Sequence, residues 1–238
     1  MTSVTVDGQV VEVGAGATIL DAAKLAGEWV PTLCFDERQA PFGACRVCLV
    51  GVTGPTQPAP KPVPACTTPC RDGMVISTAD ERARRVAASV VELVLSELPV
   101  APAAHTELAQ VAARLGVGEP RWPGETHSGS HDLRHPYLAF QHELCISCGR
   151  CVRACDEVQG AFALTATGRG FGANIAAGLD SGFLESSCVS CGACADTCPT
   201  DAIVEISLLP GARSTTPPDA GRRRPRRLAS HGSTSTER

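Results

Sequence analysis

From Ser3 to Val13 apolar and polar side chains alternate around Asp7-Gly8, a two-residue signal for a β-hairpin. The period then changes. Thr18 to Ala26 reads as a short helix, with Thr18 as cap, Asp21 three positions later and Gly27 as its stop. A longer helix is predicted over Thr78 to Leu98, opened by Thr78-Ala-Asp-Glu81 as a capping box and closed before Pro99. In it Ala83, Val86, Ala87, Val90, Leu93 and Val94 recur at three- and four-residue spacing to form one apolar face, with Glu81, Arg82, Arg84 and Arg85 on the solvated side. Thr106 to Leu115 predicts a third helix, apolar at Leu108, Val111 and Leu115 and ended by Gly116. Residues 117–135, rich in Gly, Pro, Ser and His, mark a linker, and the Pro-, Ser-, Thr- and Arg-rich residues after Ile206 should be disordered.

The cysteines sit between these elements. Cys145, Cys148, Cys151 and Cys155 repeat the C-x2-C-x2-C-x3-C spacing of Cys188, Cys191, Cys194 and Cys198, the latter followed by Pro199. In that duplicated pattern the fourth cysteine of each run ligates the other run's cluster. Two [4Fe-4S] clusters are therefore expected, one on Cys145, Cys148, Cys151 and Cys198, the other on Cys155, Cys188, Cys191 and Cys194. Ser147, Gly149, Ser190, Gly192 and Ala193 are small enough for backbone N–H groups to approach the sulfurs, while the fourth cysteine opens a departing helix and Pro199 turns the chain away. The Gly- and Ala-rich insert 160–187 should form a small hairpin between the loops. Zinc sites and a disulfide framework are the alternatives; zinc more usually shows C-x2-C pairs set far apart.

Upstream, Cys34, Cys45, Cys48 and Cys66 follow the hairpin and first helix, an order that suggests a β-grasp unit, the scaffold of plant-type ferredoxins. The four suit a [2Fe-2S] cluster, although ten residues separate the first pair where plant-type ferredoxins have four. A zinc site stays open here. Cys70 is surplus and reads as a packed structural thiol, with a swapped ligand role as the other option. His127, His131 and His135 are spaced by four, but Gly124, Ser128, Gly129 and Ser130 favour a surface loop over a helical ligand set.

Three segments, Pro31-Thr-Leu-Cys34, Gly43-Ala-Cys-Arg-Val-Cys-Leu-Val50 and Pro64-Ala-Cys-Thr-Thr-Pro69, resemble an iron–sulfur family. It includes the N-terminal region of the catalytic subunit of NAD-dependent molybdenum formate dehydrogenases. The large iron–sulfur subunit of complex I and the small diaphorase subunit of NAD-reducing hydrogenases are its relatives. His135-Pro-Tyr-Leu-Ala-Phe140 resembles the family's lead-in, and Cys148 to Gly160, Gly168 to Phe171 and Cys188 to Cys194 are most similar to the formate dehydrogenase branch. The resemblance covers about residues 3–206 and implies a further His-plus-three-Cys cluster after the long helix. Here that stretch offers His105 alone, with no cysteine from 71 to 144, so that centre is expected to be lost and His105 to be a stranded loop histidine. In formate dehydrogenases a molybdopterin domain follows, and none is expected within these 238 residues.

Composition fits a cluster-filled protein. Of 238 residues, thirteen are cysteine and 4% aromatic, so buried clusters would replace ordinary core. Thirteen is odd and no signal sequence opens the chain, implying thiols kept for metal in a reducing cytoplasm. No apolar run is long enough for a transmembrane helix, so direct membrane insertion is not expected. Residues 207–238 carry a net charge of +5 and residues 1–206 carry −9, which argues against nucleic-acid binding by the body. Gly168-x-Gly170 lacks the context of a nucleotide fingerprint.

The expected class is α+β. A β-grasp [2Fe-2S] ferredoxin-like domain should span 1–78 and a helical segment and linker 79–135. A bacterial-type 2x[4Fe-4S] ferredoxin domain should follow over 136–206, then a disordered tail over 207–238. With no nucleophile–base pair or phosphate loop in view, the resemblance implies a non-catalytic electron-transfer subunit. Its partners would be a molybdopterin or hydrogenase catalytic subunit and a flavin/NAD diaphorase subunit. An iron–sulfur redox or oxygen sensor is the alternative, with the Arg-rich tail as a docking surface.

Overall fold

The computed structural model of the protein describes residues 1–55, 57–127, 131–178 and 182–209. The Arg-rich stretch from Gly221 to Arg227 lies outside the described residues.

The first body is a mixed sheet with strand order β2-β1-β5-β3-β4. Its hairpin, β1 (Thr2–Val6) and β2 (Gln9–Val13), turns at Asp7 and Gly8 with φ of 46° and 90°, the two positive values that a type I′ turn requires. β1 pairs in parallel with β5 (Met74–Ser77), and β5 pairs antiparallel with β3 (Leu49–Gly54). The outer strand β4 (Gln57–Pro64) carries Pro58, Pro60, Pro62 and Pro64, which lack N–H groups and so blunt an otherwise open edge. Helix α1 (Ile19–Leu25) has the expected Thr18–Asp21 capping box. It buries Ile19, Leu20, Ala22 and Ala23 against Val4, Val6, Val13, Val50 and Ile76.

Two helices follow, and the first departs from expectation. α2 runs Glu81–Ser96 with Asp80, not Thr78, as its cap, Asp80 accepting from the Ala83 N–H at 2.8 Å. Thr78 is taken by the hairpin instead, its hydroxyl donating to Asp7 at 2.5 Å. The cap sits against β3 at Gly51, where a Cβ would stand 2.6 Å from that of Asp80; this close approach turns α2 onto the sheet. The buried stripe is accordingly Ala83, Ala87 and Val91, while Val86 and Leu93 are exposed. α3 (Glu107–Leu115) is closed by left-handed Gly116, as expected, and Thr106 caps it from outside instead of starting it.

The second body holds two small antiparallel ribbons. β6 (Leu138–Phe140) pairs with β9 (Ile203–Glu205), and β7 (Leu164–Thr167) pairs with β8 (Asn174–Ala177) as the hairpin of the insert. Phe140, Phe183, Ile175 and Ile203 pack there with Cys145, Cys151, Cys155 and Cys194. The short helices α4 (Arg150–Arg153) and α5 (Ala193–Asp196) each contain the third cysteine of a run. The fourth therefore follows its helix instead of opening one: Cys155 lies in the π-turn Ala154–Gln159, and Cys198 lies beyond α5.

A third core joins the bodies. Leu33 and Val47 of the first meet Val91, Leu108, Val111 and Ala112 of α2 and α3, with Cys45 and Ile146 packed on its flank. Beside it lies a buried polar clasp. Arg150 donates to Thr197 Oγ1 at 2.9 Å, to both Glu107 carboxylate oxygens at 2.7 and 3.0 Å, and to Asp36 at 3.4 Å. Thr197 in turn donates to Asp36 at 2.7 Å. The Arg38 guanidinium, helped by that hydroxyl, holds the Asp36 carboxyl well below the usual carboxylate range.

Arg150→Met keeps the stem but removes these charge-assisted bonds. It should lower the apparent melting midpoint of the loaded protein by about 3–12 °C. Arg85→Met, which breaks only the exposed pair with Glu81, should leave it unchanged. Equal midpoints for all three proteins would remove the clasp from the account of stability.

Candidate metal centres

Cys34, Cys45, Cys48 and Cys66 come together beside the five-stranded sheet. Cys48 Sγ lies 3.3 Å from Cys66 Sγ, and the Cys45 N–H donates to Cys34 Sγ at 3.4 Å. A hydrogen bond from Cys45, reinforced by the N–H groups of Cys45, Ala44 and Gly43, brings the Cys34 thiol down to about 5. The hydrogen bond that it shares with Cys66 brings Cys48 down to about 7, while Cys45 and Cys66 are pushed up by the same two contacts. Such a cradle of amides stabilises sulfur as thiolate, the form that binds metal. Cys70 is elsewhere. It packs on the first core, its N–H bonded to Ala17 O and its thiol pushed up by burial.

The eight remaining cysteines divide between two tight pockets. Cys145, Cys148, Cys151 and Cys198 line one with Phe140 and Ile175; Cys155, Cys188, Cys191 and Cys194 line the other with Leu138 and Phe183. These are the two crossed sets expected from the sequence. The loops match in backbone: Ser147 and Ser190 have φ of 51° and 58°, and Gly149 and Gly192 have φ of 77° and 79°. Each serine N–H points at the cysteine two residues back, at 3.4 Å. The π-turn carries Cys155 Sγ to the Ala163 N–H at 3.2 Å. Burial pushes Cys148 and Cys194 up to about 12 and Cys151 well above the ordinary thiol value. Ionised sulfurs in so dry a place need a positive group among them. Among the described residues no three His, Cys, Asp or Glu side chains converge on a single-ion position. The thiols gather in fours around two pockets instead, and that donor set suits a multi-iron cluster better than one zinc ion.

The histidines behave differently from one another. His105 lies 2.6 Å from Asp201 Oδ2, so it is paired and not stranded. His127 pairs with Glu97 at 3.2 Å and His131 with Glu143, which separates them as a ligand set. His135 is buried beside Cys188. Sequence reasoning also missed the part played by Asp36, Gln39 and Ala40, in the long gap between Cys34 and Cys45. Gln39 donates to Arg150 O at 3.0 Å, Ala40 N–H donates to Glu157 at 2.9 Å, and Phe42 lies under the Arg153 guanidinium at 5.2 Å. The unusual length was the only signal; those residues dock the second body.

Comparison with known proteins finds a 2Fe-2S iron-sulfur cluster binding domain over residues 1–81 and a 4Fe-4S dicluster domain over residues 144–202. The NADP-reducing hydrogenase subunit HndD of Solidesulfovibrio fructosivorans is 34% identical over 86% of this chain and 36% of its own length. The mitochondrial NADH-ubiquinone oxidoreductase 78 kDa subunit of Candida albicans is 32% identical over 70% of this chain and 24% of its own. A chain in the crystal structure of an NAD+-reducing [NiFe]-hydrogenase in the H2-reduced state superposes with a TM-score of 0.78 at 25% identity, covering 91% of this chain and 90% of that one. The chain thus spans only about a quarter to a third of these two curated relatives. It carries iron–sulfur domains related to those of NADH-quinone oxidoreductases and of NAD(P)-linked hydrogenases.

Cys66→Ser should release the iron of the first site, about two atoms per chain on the stoichiometry of a [2Fe-2S] cluster. Cys70→Ser should release none. Loss of iron on replacing Cys70, read by chelator assay, would place that thiol among the ligands.

Proposed function

We propose that the chain is a non-catalytic electron-transfer subunit. It relays single electrons between a catalytic centre on a partner chain, of molybdopterin formate dehydrogenase or hydrogenase type, and an NAD(P)/flavin or quinone module. Cys34, Cys45, Cys48 and Cys66 hold one [2Fe-2S] cluster. Cys145, Cys148, Cys151 and Cys198 hold one [4Fe-4S] cluster, and Cys155, Cys188, Cys191 and Cys194 a second. Bound clusters of these types supply one-electron redox chemistry, which splits a two-electron hydride reaction into single steps.

The observation that carries this reading is that the three four-cysteine sites belong to one continuously packed body. Cys45 and Ile146, the neighbour of Cys145, flank the same core. The Phe42 ring stands 3.8 Å from where a Cβ on Gly149 would be, so the first loop touches the second. Leu33 and Val47 keep water out of that junction, and the Asp36–Arg150 clasp holds it. At the far site Cys191 is exposed, which gives the row a contact point for a partner. Among the described residues no helix is long and apolar enough to cross a membrane.

Anaerobically purified protein should contain about ten iron atoms, from one [2Fe-2S] and two [4Fe-4S] clusters. It should show three reducible centres by EPR, and NADH, formate or hydrogen should reduce them only once partner subunits are added. Iron near two, or zinc in its place, would sink the relay. Release of a partner on cluster oxidation, with no electron throughput, would favour a sensor.

A further inference from the structure

The two cysteine loops of the second body share a backbone but differ in their surroundings. His135, on the segment entering β6, is 4% exposed and lies edge-on to Phe183 and Tyr137 at 5.7 and 6.0 Å between centroids. Its Nδ1 is 3.1 Å from the Tyr137 N–H nitrogen and 3.0 Å from that of Leu138. Both are donors, so Nδ1 can only accept. The ring proton of the neutral imidazole therefore sits on Nε2. Nε2 is 3.1 Å from Ser190 Oγ and 3.7 Å from Cys188 Sγ, so its N–H is shared between a hydroxyl and a cluster-site sulfur. At the matching cysteine of the other loop, Cys145 Sγ receives the Ser147 N–H, and no histidine reaches it among the described hydrogen bonds.

We propose that His135 is a positioning residue that donates its Nε2–H to the Cys188 thiolate and thereby raises the reduction potential of the cluster held by Cys155, Cys188, Cys191 and Cys194. This rests on the ligand sets given under Proposed function. The cause is electrostatic. Reduction adds negative charge that spreads onto the thiolate sulfurs, so a donor aimed at a sulfur stabilises the reduced form more than the oxidised one. Two backbone amides fix the ring, which keeps the donor aimed without any rearrangement when the electron arrives. Ser190 competes for the same proton. Its removal should direct the whole N–H onto sulfur.

The test is an EPR-monitored redox titration of the full, iron-loaded chain and three variants. His135→Leu should make one [4Fe-4S] midpoint more negative. At a fixed potential its reduced-to-oxidised ratio should fall about tenfold, which is about 59 mV for a one-electron couple. The other two midpoints should stay in place. His135→Gln, which keeps an N–H near the Nε2 position, should recover most of the shift, and Ser190→Ala should move the same centre in the positive direction. Iron-replete His135→Leu with three unmoved midpoints overturns the proposal, as does a common shift of all three. If His135→Leu loses iron, the Ser190→Ala midpoint decides, and no movement there overturns it equally. A wild-type chain without two [4Fe-4S] signals refutes the ligand sets and this proposal with them; unmoved midpoints in replete protein refute the proposal alone.

Discussion

Arg150 lies between two cysteines of the first dicluster loop, yet its side-chain partners come from three other segments. Asp36 belongs to the loop after Cys34, Glu107 to α3 and Thr197 to the turn before Cys198. A buried guanidinium is costly to desolvate, and a hydrophobic contact of the same size would often be at least as stable. What the ion network adds is position. Five donors in a plane satisfy three acceptor groups at once only when all three segments are in register, and each of those segments is tied to a cysteine loop. The distance between sites is thus set by hydrogen-bond geometry and not by the softer packing of aliphatic side chains alone.

The rest of the molecule can be followed outward from that point. Little aromatic mass is available, and the second core is built largely from small residues, a few large side chains and the cysteines themselves. The positive φ of Ser147, Gly149, Ser190 and Gly192 bends each loop, and the Ser147 and Ser190 N–H groups face the sulfur two residues back. With clusters in place, those amides and the high-pKa thiols both become satisfied groups, so cluster binding and folding of the second body should be strongly coupled.

Much of this was legible in the sequence because cluster ligation imposes spacing, and spacing survives any context. The crossed division of eight cysteines between two cavities follows from the duplicated run, and the hairpin and α1 follow from Asp7-Gly8 and the Thr18–Asp21 box. Other features depend on tertiary neighbours. Asp7 claims the Thr78 hydroxyl, so Asp80 caps α2 and its buried stripe rotates away from Val86 and Leu93. His135 looked like one of three loop histidines, since nothing local shows that Tyr137 and Leu138 amides pin its ring or that Cys188, far along the chain, faces it.

The ten residues between Cys34 and Cys45 and the cysteine-free stretch from 71 to 144 can be understood together. Sites on separate bodies come close only where the surfaces around them adhere. The long gap supplies Asp36, Gln39, Ala40 and Phe42 to α4 and its π-turn. The α2–α3 pair supplies an apolar floor that Leu33, Val47 and Ile146 share. Side-chain packing and one buried charge network join the two bodies. The long first interval is therefore what lets the first body sit against its neighbour.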